Sequence, residues 1–316
     1  MPKNDKKQFA MNTFGNKFSF TSFGESHGRA IGGVLDGVPS GLSIDIELIR
    51  TELERRAGRN NKAGASARAV REPDEVEWLS GVIEKDNGLV TLGTPIAFII
   101  RNADARPEDY EWLKHTYRVG HADKTYEQKY GIRDWRGGGR ASARETAGRV
   151  VAGCIAKQLL LRLRGISIHA ELVQVGAETD PTKFAETIAR YQQEGDSIGG
   201  IVACTIRGLK AGAGEPIFNK LQAELAFAVM SINACKGFEY GAGFEGVTEP
   251  GSKINHISGG IAGGISDGTD IHFRCVFKPT PSTLKAGVKG RHDACVATRA
   301  VPIVEAMTAL CLQNLL

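Results

Sequence analysis

The stretch "TAGRVVAGCIAKQLLLRLR" (Thr146–Arg164) limits the fold more than any other part of the chain. It reads as a helix stopped by Gly165, the residue type best able to take the left-handed conformation at a helix C-terminus. Ala147, Gly148, Ala152, Gly153 and Ala156 leave little side chain along it, which lets neighbouring elements approach its axis closely. Immediately upstream, Arg133, Arg136, Arg140, Arg144 and Arg149 surround Gly137, Gly138 and Gly139. From Ser142, "SARE" reads as a capping box, with the Ser142 hydroxyl on the Glu145 amide and the Glu145 side chain reaching back. On this reading "RGGGRA" brings backbone amides and guanidiniums to a helix N-terminus, a geometry that holds anions.

The rest of the chain alternates short strands and helices. "IGGVLDGV" (Ile31–Val38) predicts a strand. "DIELIRTELERR" (Asp45–Arg56) places apolar residues at 46, 48, 49 and 53 behind an Asp45 N-cap, the pattern of an amphipathic helix. Asp86-Asn87-Gly88 marks a hairpin turn between two strand-like runs. "IGGIVACTIRGLKAGAGEP" resembles the first-half "IGGVLDGVPSG", each runs toward a helix, and a second basic glycine turn, "GRHD", precedes the C-terminal helix. No Pro/Ser-rich linker separates the parts. The expectation is an α/β (α+β) chain of two similar halves, with residues 1–10 a loose extension and 11–316 a single domain.

Composition narrows the function. A formal charge of +4 over 316 residues is small for a general nucleic-acid surface, so any anion site must be local. The six cysteines form no C-x-x-C pair and sit in apolar runs, as expected of buried, reduced thiols in a cytosolic protein. No apolar run approaches 18 residues and the N-terminus lacks the apolar core of a signal peptide, so neither a membrane partner nor export is expected. A P-loop motif is absent, and the histidines lack the spacing of a zinc site, so no metal is expected.

Polar, glycine-rich segments are where chemistry would be built. They are "FGESHG" (Phe23–Gly28), "RVGHADKTYEQKYG" (Arg118–Gly131), "RGGGRASARET" (Arg136–Thr146), "KPTPS" (Lys278–Ser282) and "KGRHDACVATRAVP" (Lys289–Pro302). Each histidine or Arg–Asp pair taken singly is as readily a turn residue or a structural ion pair. In order, however, together with "GDSIGG", "MSINACKGFEYGAGF" and "SGGIAGGISDG", they closely resemble the chorismate synthases, from Met11 to the C-terminus.

That resemblance implies helices sandwiched between antiparallel sheets and a homotetramer. It implies the last common step of the shikimate pathway, an anti-1,4-elimination of phosphate from 5-enolpyruvylshikimate 3-phosphate giving chorismate. The reaction needs reduced FMN, with NADPH the candidate reductant. By motif, His27 would donate a proton to the leaving phosphate, His121 would protonate the reduced flavin, and Asp293 would assist proton removal through flavin N5. FMN would be met by Arg140, Ala141, Ser142, Asn233, Ala234, Gly263, Lys278, Pro279, Thr280, Pro281, Ser282 and Arg291, and substrate by Arg56, Arg144 and Arg291. Guanidiniums suit the planar and trigonal anions of such ligands. The family's "RRRPG" departs here to "ERRAGRNNKAGASARAVREPD", which keeps Arg55 and Arg56, loses the proline, and leaves the downstream partner to Arg59 or Lys62. "TLKAGVK" is short for the lid of the family. The alternatives are a flavin-dependent lyase acting on another phosphorylated anion and, remotely, an Arg/Gly-mediated RNA-binding module.

Overall fold

The computed structural model describes residues 11–59, 72–86, 88–252, 258–288 and 292–316. The expected extension 1–10, the divergent loop Asn60–Ala69 and Arg291 lie outside them. In chain order the strands are β1 (Thr13–Phe14), β2 (Ser19–Phe23), β3 (Ala30–Asp36), β4 (Ser43–Ile44), β5 (Val76–Ser80), β6 (Val82–Lys85), β7 (Gly88–Thr91), β8 (Ile96–Arg101), β9 (Ser167–Val175), β10 (Gly200–Arg207), β11 (Cys235–Tyr240), β12 (Ile261–Ala262), β13 (Ile265–Ser266) and β14 (Ile271–Phe277). The α-helices are α1 (Ile46–Ala57), α2 (Asp123–Tyr130), α3 (Thr146–Arg164), α4 (Phe184–Gln193), α5 (Leu221–Met230) and α6 (Ala297–Leu315).

Two antiparallel sheets dominate, one ordered β1-β2-β3-β8-β5 and the other β11-β14-β10-β9. Helix α3 packs on β2, β3 and β8 of the first and on β9 of the second, while α6 packs on β9, β10 and β2. The two helices are therefore the middle of a sheet–helix–sheet sandwich, with α1 packed on both. Each half supplies one of these sheets and one 19-residue helix, α3 or α6. The small residues of α3 act as expected. A Cβ added at Gly153 would lie 2.3 Å from the Ala306 Cβ and 2.4 Å from its Cα, so α3 and α6 touch almost backbone to backbone. Side chains of both halves share one apolar core, and all six cysteines are buried within it as free thiols. No described helix is long and apolar enough to cross a membrane.

Local signals place several elements as read. Asp45 caps α1 by accepting from the Leu48 amide at 2.9 Å, and Gly58 and Gly165 close α1 and α3 in the left-handed conformation. Lys85 pairs with Gly88 across a two-residue turn in which Asp86 has φ 48°. The capping box does not form. The Ser142 hydroxyl accepts from the Arg144 amide at 3.3 Å instead, inside a 3-10 turn, Ala143–Glu145. The Glu145 carboxylate turns forward to Arg149 at 2.9 Å, because a partner one helical turn ahead offers a charge as well as a donor. α3 proper starts only at Thr146.

An ionic cluster sits where α1, α3 and α6 meet. The buried Glu305 carboxylate accepts from Lys157 at 2.5 Å, Arg55 at 3.2 Å and the Ala170 amide at 2.9 Å. Burial would raise the Glu305 pKa, but the two cations and that amide hold it below the ordinary glutamate value.

Candidate active site

A cavity of about 450 Å³ opens where loops from both halves converge. It is lined by the turn after β2 (His27), the end of α1 (Arg56), the segment entering α2 (Arg118, Gly120, His121, Ala122), the glycine loop (Gly137 and Ala141–Arg144), Asn233 and Ala234 after α5, Lys278–Ser282 after β14, and His292 and Asp293 ahead of α6. Most of the residues selected from sequence thus meet at one place. Arg140 and Gly263 do not line it. Arg140 faces a neighbouring hollow, and Gly263 sits in the β12–β13 turn with open space where a Cβ would point.

The arginines divide in a way the sequence did not foretell. Those around the triple glycine are engaged by the protein itself. Arg133 pairs with Glu127 at 2.8 Å, though its buried Nη1 has no partner among the described residues, Arg136 pairs with Asp134 at 2.8 Å and Arg149 with Glu145. Arg140 donates to the Gly24 carbonyl at 3.0 Å and to the Ser22 hydroxyl at 2.9 Å. Arg144 reaches the cavity wall but is held by Asp74, by Asn102 Oδ1 at 2.9 Å and by the Arg101 carbonyl at 3.0 Å. Arg56 differs. Its Nη2 pairs with Asp74 at 2.7 Å, while the buried Nε and Nη1 have no hydrogen-bond partner among the described residues. A buried N–H left unsatisfied costs stability, so a protein that keeps two on one cation has reason to expect an anion there. Asp74 locks the two cations side by side. Burial raises its pKa, yet Arg56 and Arg144 bring it down to about 2.

The triple glycine serves the histidines. A Cβ at Gly137 would lie 2.0 Å from His27 Cε1, and one at Gly138 would lie 2.7 Å from His121 Cε1. Consecutive residues, with Cα atoms about 3.8 Å apart, therefore wall the two imidazoles, and any side chain there would occupy their space. His27 is buried, with Tyr110 edge-on at 4.8 Å and the Ser26 hydroxyl 3.1 Å from Nδ1. His121 Nδ1 lies 2.8 Å from Asp123 Oδ1.

On the opposite wall, Asp293 accepts from Arg299 Nη1 at 2.6 Å, and Arg299 Nε donates to the Arg56 carbonyl at 2.8 Å. α6 thereby ties the acid to the unsatisfied cation. His292 Nε2 donates to the Val288 carbonyl at 3.0 Å, and burial lowers its pKa. Buried Asn233 Oδ1 and Ser282 Oγ also lack partners among the described residues, and burial lowers the pKa of Lys278, beside the Gly120 carbonyl at 3.3 Å. Arg59 Nη2 donates to the Glu72 carbonyl. Sequence reading missed Asp74, Tyr110, Arg118, Asp123 and Arg299. Arg118 and Asp123 had a signal as the flanks of "RVGHAD", and Arg299 as part of "KGRHDACVATRAVP"; Asp74 and Tyr110 had none.

Comparison with known proteins agrees with this architecture. The chorismate synthase family model matches residues 18–316. The chain is 47% identical to a chorismate synthase of Christiangramia forsetii, over 96% of each chain. It is 48% identical to one of Bacteroides thetaiotaomicron, over 95% of this chain and 96% of that one. The first of these alignments spans 353 positions, more than the 316 residues here, so that relative carries residues without a counterpart. A crystal structure of a chorismate synthase superposes with a TM-score of 0.74 at 28% identity, covering 96% of this chain and 92% of that one. With the family matched from β2 to the last residue, and its antiparallel sheets and central helices found in the structure, this chain belongs to the chorismate synthase family of lyases.

Proposed function

We propose that the cavity binds 5-enolpyruvylshikimate 3-phosphate and eliminates its phosphate to give chorismate, with reduced FMN held in the same cavity. The observation that carries this reading is the pair of unsatisfied Arg56 N–H groups, buried beside Arg144 in a space walled by both histidines. The substrate, with one phosphate and two carboxylates, offers acceptors of the right charge and shape for a guanidinium fork. The unpartnered Asn233 Oδ1 and Ser282 Oγ, with Lys278 at the rim, fit a cofactor that offers both donors and a phosphate. Its contacts are accordingly assigned to Ala141, Ser142, Asn233, Ala234 and residues 278–282.

Reduced FMN supplies an electron-rich ring next to the substrate, and the overall elimination leaves no net change of oxidation state. The protein residues do the rest. His27, buried against Tyr110, gives a proton to the departing phosphate. His121 holds a proton for the flavin side of the cavity. Asp293, oriented by Arg299, assists removal of the substrate proton.

The reading includes NADPH as a reductant, a homotetramer and a cytoplasmic setting. Exposed apolar side chains such as Phe218, Phe244 and Val247 offer surface for assembly. An anaerobic assay with chemically reduced FMN should yield chorismate and phosphate in equal amounts, and repeating it with NADPH as sole reductant decides the reductase question. Folded, flavin-binding protein that forms no chorismate from reduced FMN overturns the reading.

A further inference from the structure

His121 has one ring nitrogen occupied and one open. Nδ1 lies 2.8 Å from Asp123 Oδ1, whereas Nε2 has no hydrogen-bond partner among the described residues. Asp123 is itself gripped. Its Oδ2 accepts from the Arg118 amide at 3.0 Å and from Arg118 Nε at 2.9 Å, and its Oδ1 accepts from Arg118 Nη2 at 2.8 Å. The Asp123 side chain is 2% exposed and that of Arg118 8%, so neither turns away into solvent. Gly138 closes the remaining side, since its missing Cβ would lie 2.7 Å from His121 Cε1 and 3.0 Å from Nε2.

We propose that Asp123, clamped by Arg118, is a positioning residue that fixes His121 with its proton on Nδ1 and presents Nε2 as the nitrogen that exchanges a proton with the ligand. The proposal rests on the reading of His121 as a proton donor in this cavity. Its chemistry balances simply. The imidazolium gives up the Nε2 proton, the N–H bond breaks and its electron pair stays on Nε2, and the neutral ring keeps Nδ1–H on the Asp123 carboxylate. Arg118 Nη2 also comes within 3.2 Å of Nδ1 and, as a donor, would favour an unprotonated Nδ1, but it is already bonded to Oδ1 at 2.8 Å and the Asp123 carboxylate stands closer to Nδ1, at 2.8 Å, so the acceptor decides. Asp123 stays ionised for this task. Burial pushes its carboxyl up, but hydrogen bonds from Arg118 and His121 outweigh that and hold it well below the usual aspartate range.

Arg118 also makes the test sharp. In Asp123→Asn, an NH2 group in the Oδ2 position would face two donors of Arg118, so the amide turns its NH2 toward His121 and its oxygen toward Arg118. Nδ1 must then accept, and the proton moves to Nε2. Ring ¹⁵N spectra of the full chain with labelled histidine report this directly, recorded at a pH above which the ring's shifts no longer change, so that the neutral form is the one read. The chain has seven histidines, so His121→Gln assigns the signal. The expected result is an Nδ1–H ring in the wild type, an Nε2–H ring in Asp123→Asn, and recovery of Nδ1–H in Asp123→Glu. Single-turnover rates should fall roughly 10²- to 10⁴-fold in Asp123→Asn, the scale of a misdirected general acid. A wild-type ring carrying its proton on Nε2 overturns the proposal, and needs no variant to fold. So does an Asp123→Asn ring unchanged from wild type. Near-wild-type turnover of His121→Ala overturns the donor role of His121 instead, while the spectra still decide whether Asp123 sets the tautomer.

Discussion

Replacing Arg56 by lysine separates its two duties. In the structure Nη2 holds Asp74 at 2.7 Å, and Nε and Nη1 are buried without partners among the described residues. A lysine ammonium can keep a single ion pair with Asp74, and Arg144 still holds the other carboxylate oxygen. The fold should therefore lose about 1 kcal/mol or less, far short of the ~3–5 kcal/mol that follows when a buried charge loses its partner outright. Anion binding should suffer more. Lysine lacks the planar fork, so at least one charge-assisted hydrogen bond of roughly 1.5–3 kcal/mol disappears. That corresponds to a Kd weakened about 10- to 100-fold. Calorimetric titration with 5-enolpyruvylshikimate 3-phosphate, beside thermal melts of the free protein, measures both quantities. Affinity within about twofold of wild type would refute the reasoning, and a lowered melting temperature with unchanged affinity would make Arg56 a purely structural ion.

Asp74 carries a pH signature. Its pKa falls from an ordinary 3.8 to about 2 on folding, so its contribution is full above about pH 4 and lost as pH drops through 2. That is about 2 kcal/mol of acid-limb stability, which denaturant titrations should find missing in Asp74→Asn. Gly137→Ala should slow turnover by displacing the His27 ring, whereas Gly41→Ala, also at positive φ (84° against 62°) but with nothing within 4 Å, should show backbone strain of about 1–2 kcal/mol alone. Equal turnover in the two variants would remove the steric role of Gly137. Glu305→Ala leaves Lys157 and Arg55 facing each other in the core, with only Glu52 to share, and should destabilise urea unfolding by about 3 kcal/mol with little effect on substrate affinity in the surviving folded protein.

By itself the sequence determined what lies within a helical turn or a hairpin. The Asp45 cap and the apolar spacing behind it define α1, Gly165 ends α3, and Asp86 and Gly88 turn β6 into β7, because each signal acts between residues at most a few positions apart. The small residues of α3 also announced a close neighbour, and Ala306 is found there. The family motifs brought most of the cavity lining together as well, since they mark the loops that converge on it. The use of each charge was decided only by the tertiary structure. Five arginines crowd the glycine loop, yet their acceptors include Ser22, Gly24, Asp74, Asn102, Glu127, Asp134 and Glu145, and among the described residues the cavity-lining cation with open donors is Arg56, at the end of α1. Asp74 stands 18 residues from Arg56 and 70 from Arg144, separations that carry no local periodicity. Even the Ser142–Glu145 box gave way once Arg149 offered Glu145 a charged partner. The triple glycine is needed because two imidazoles occupy the volume its side chains would fill, a steric fact that exists only after the β2 turn and the α2 segment have folded against the same loop.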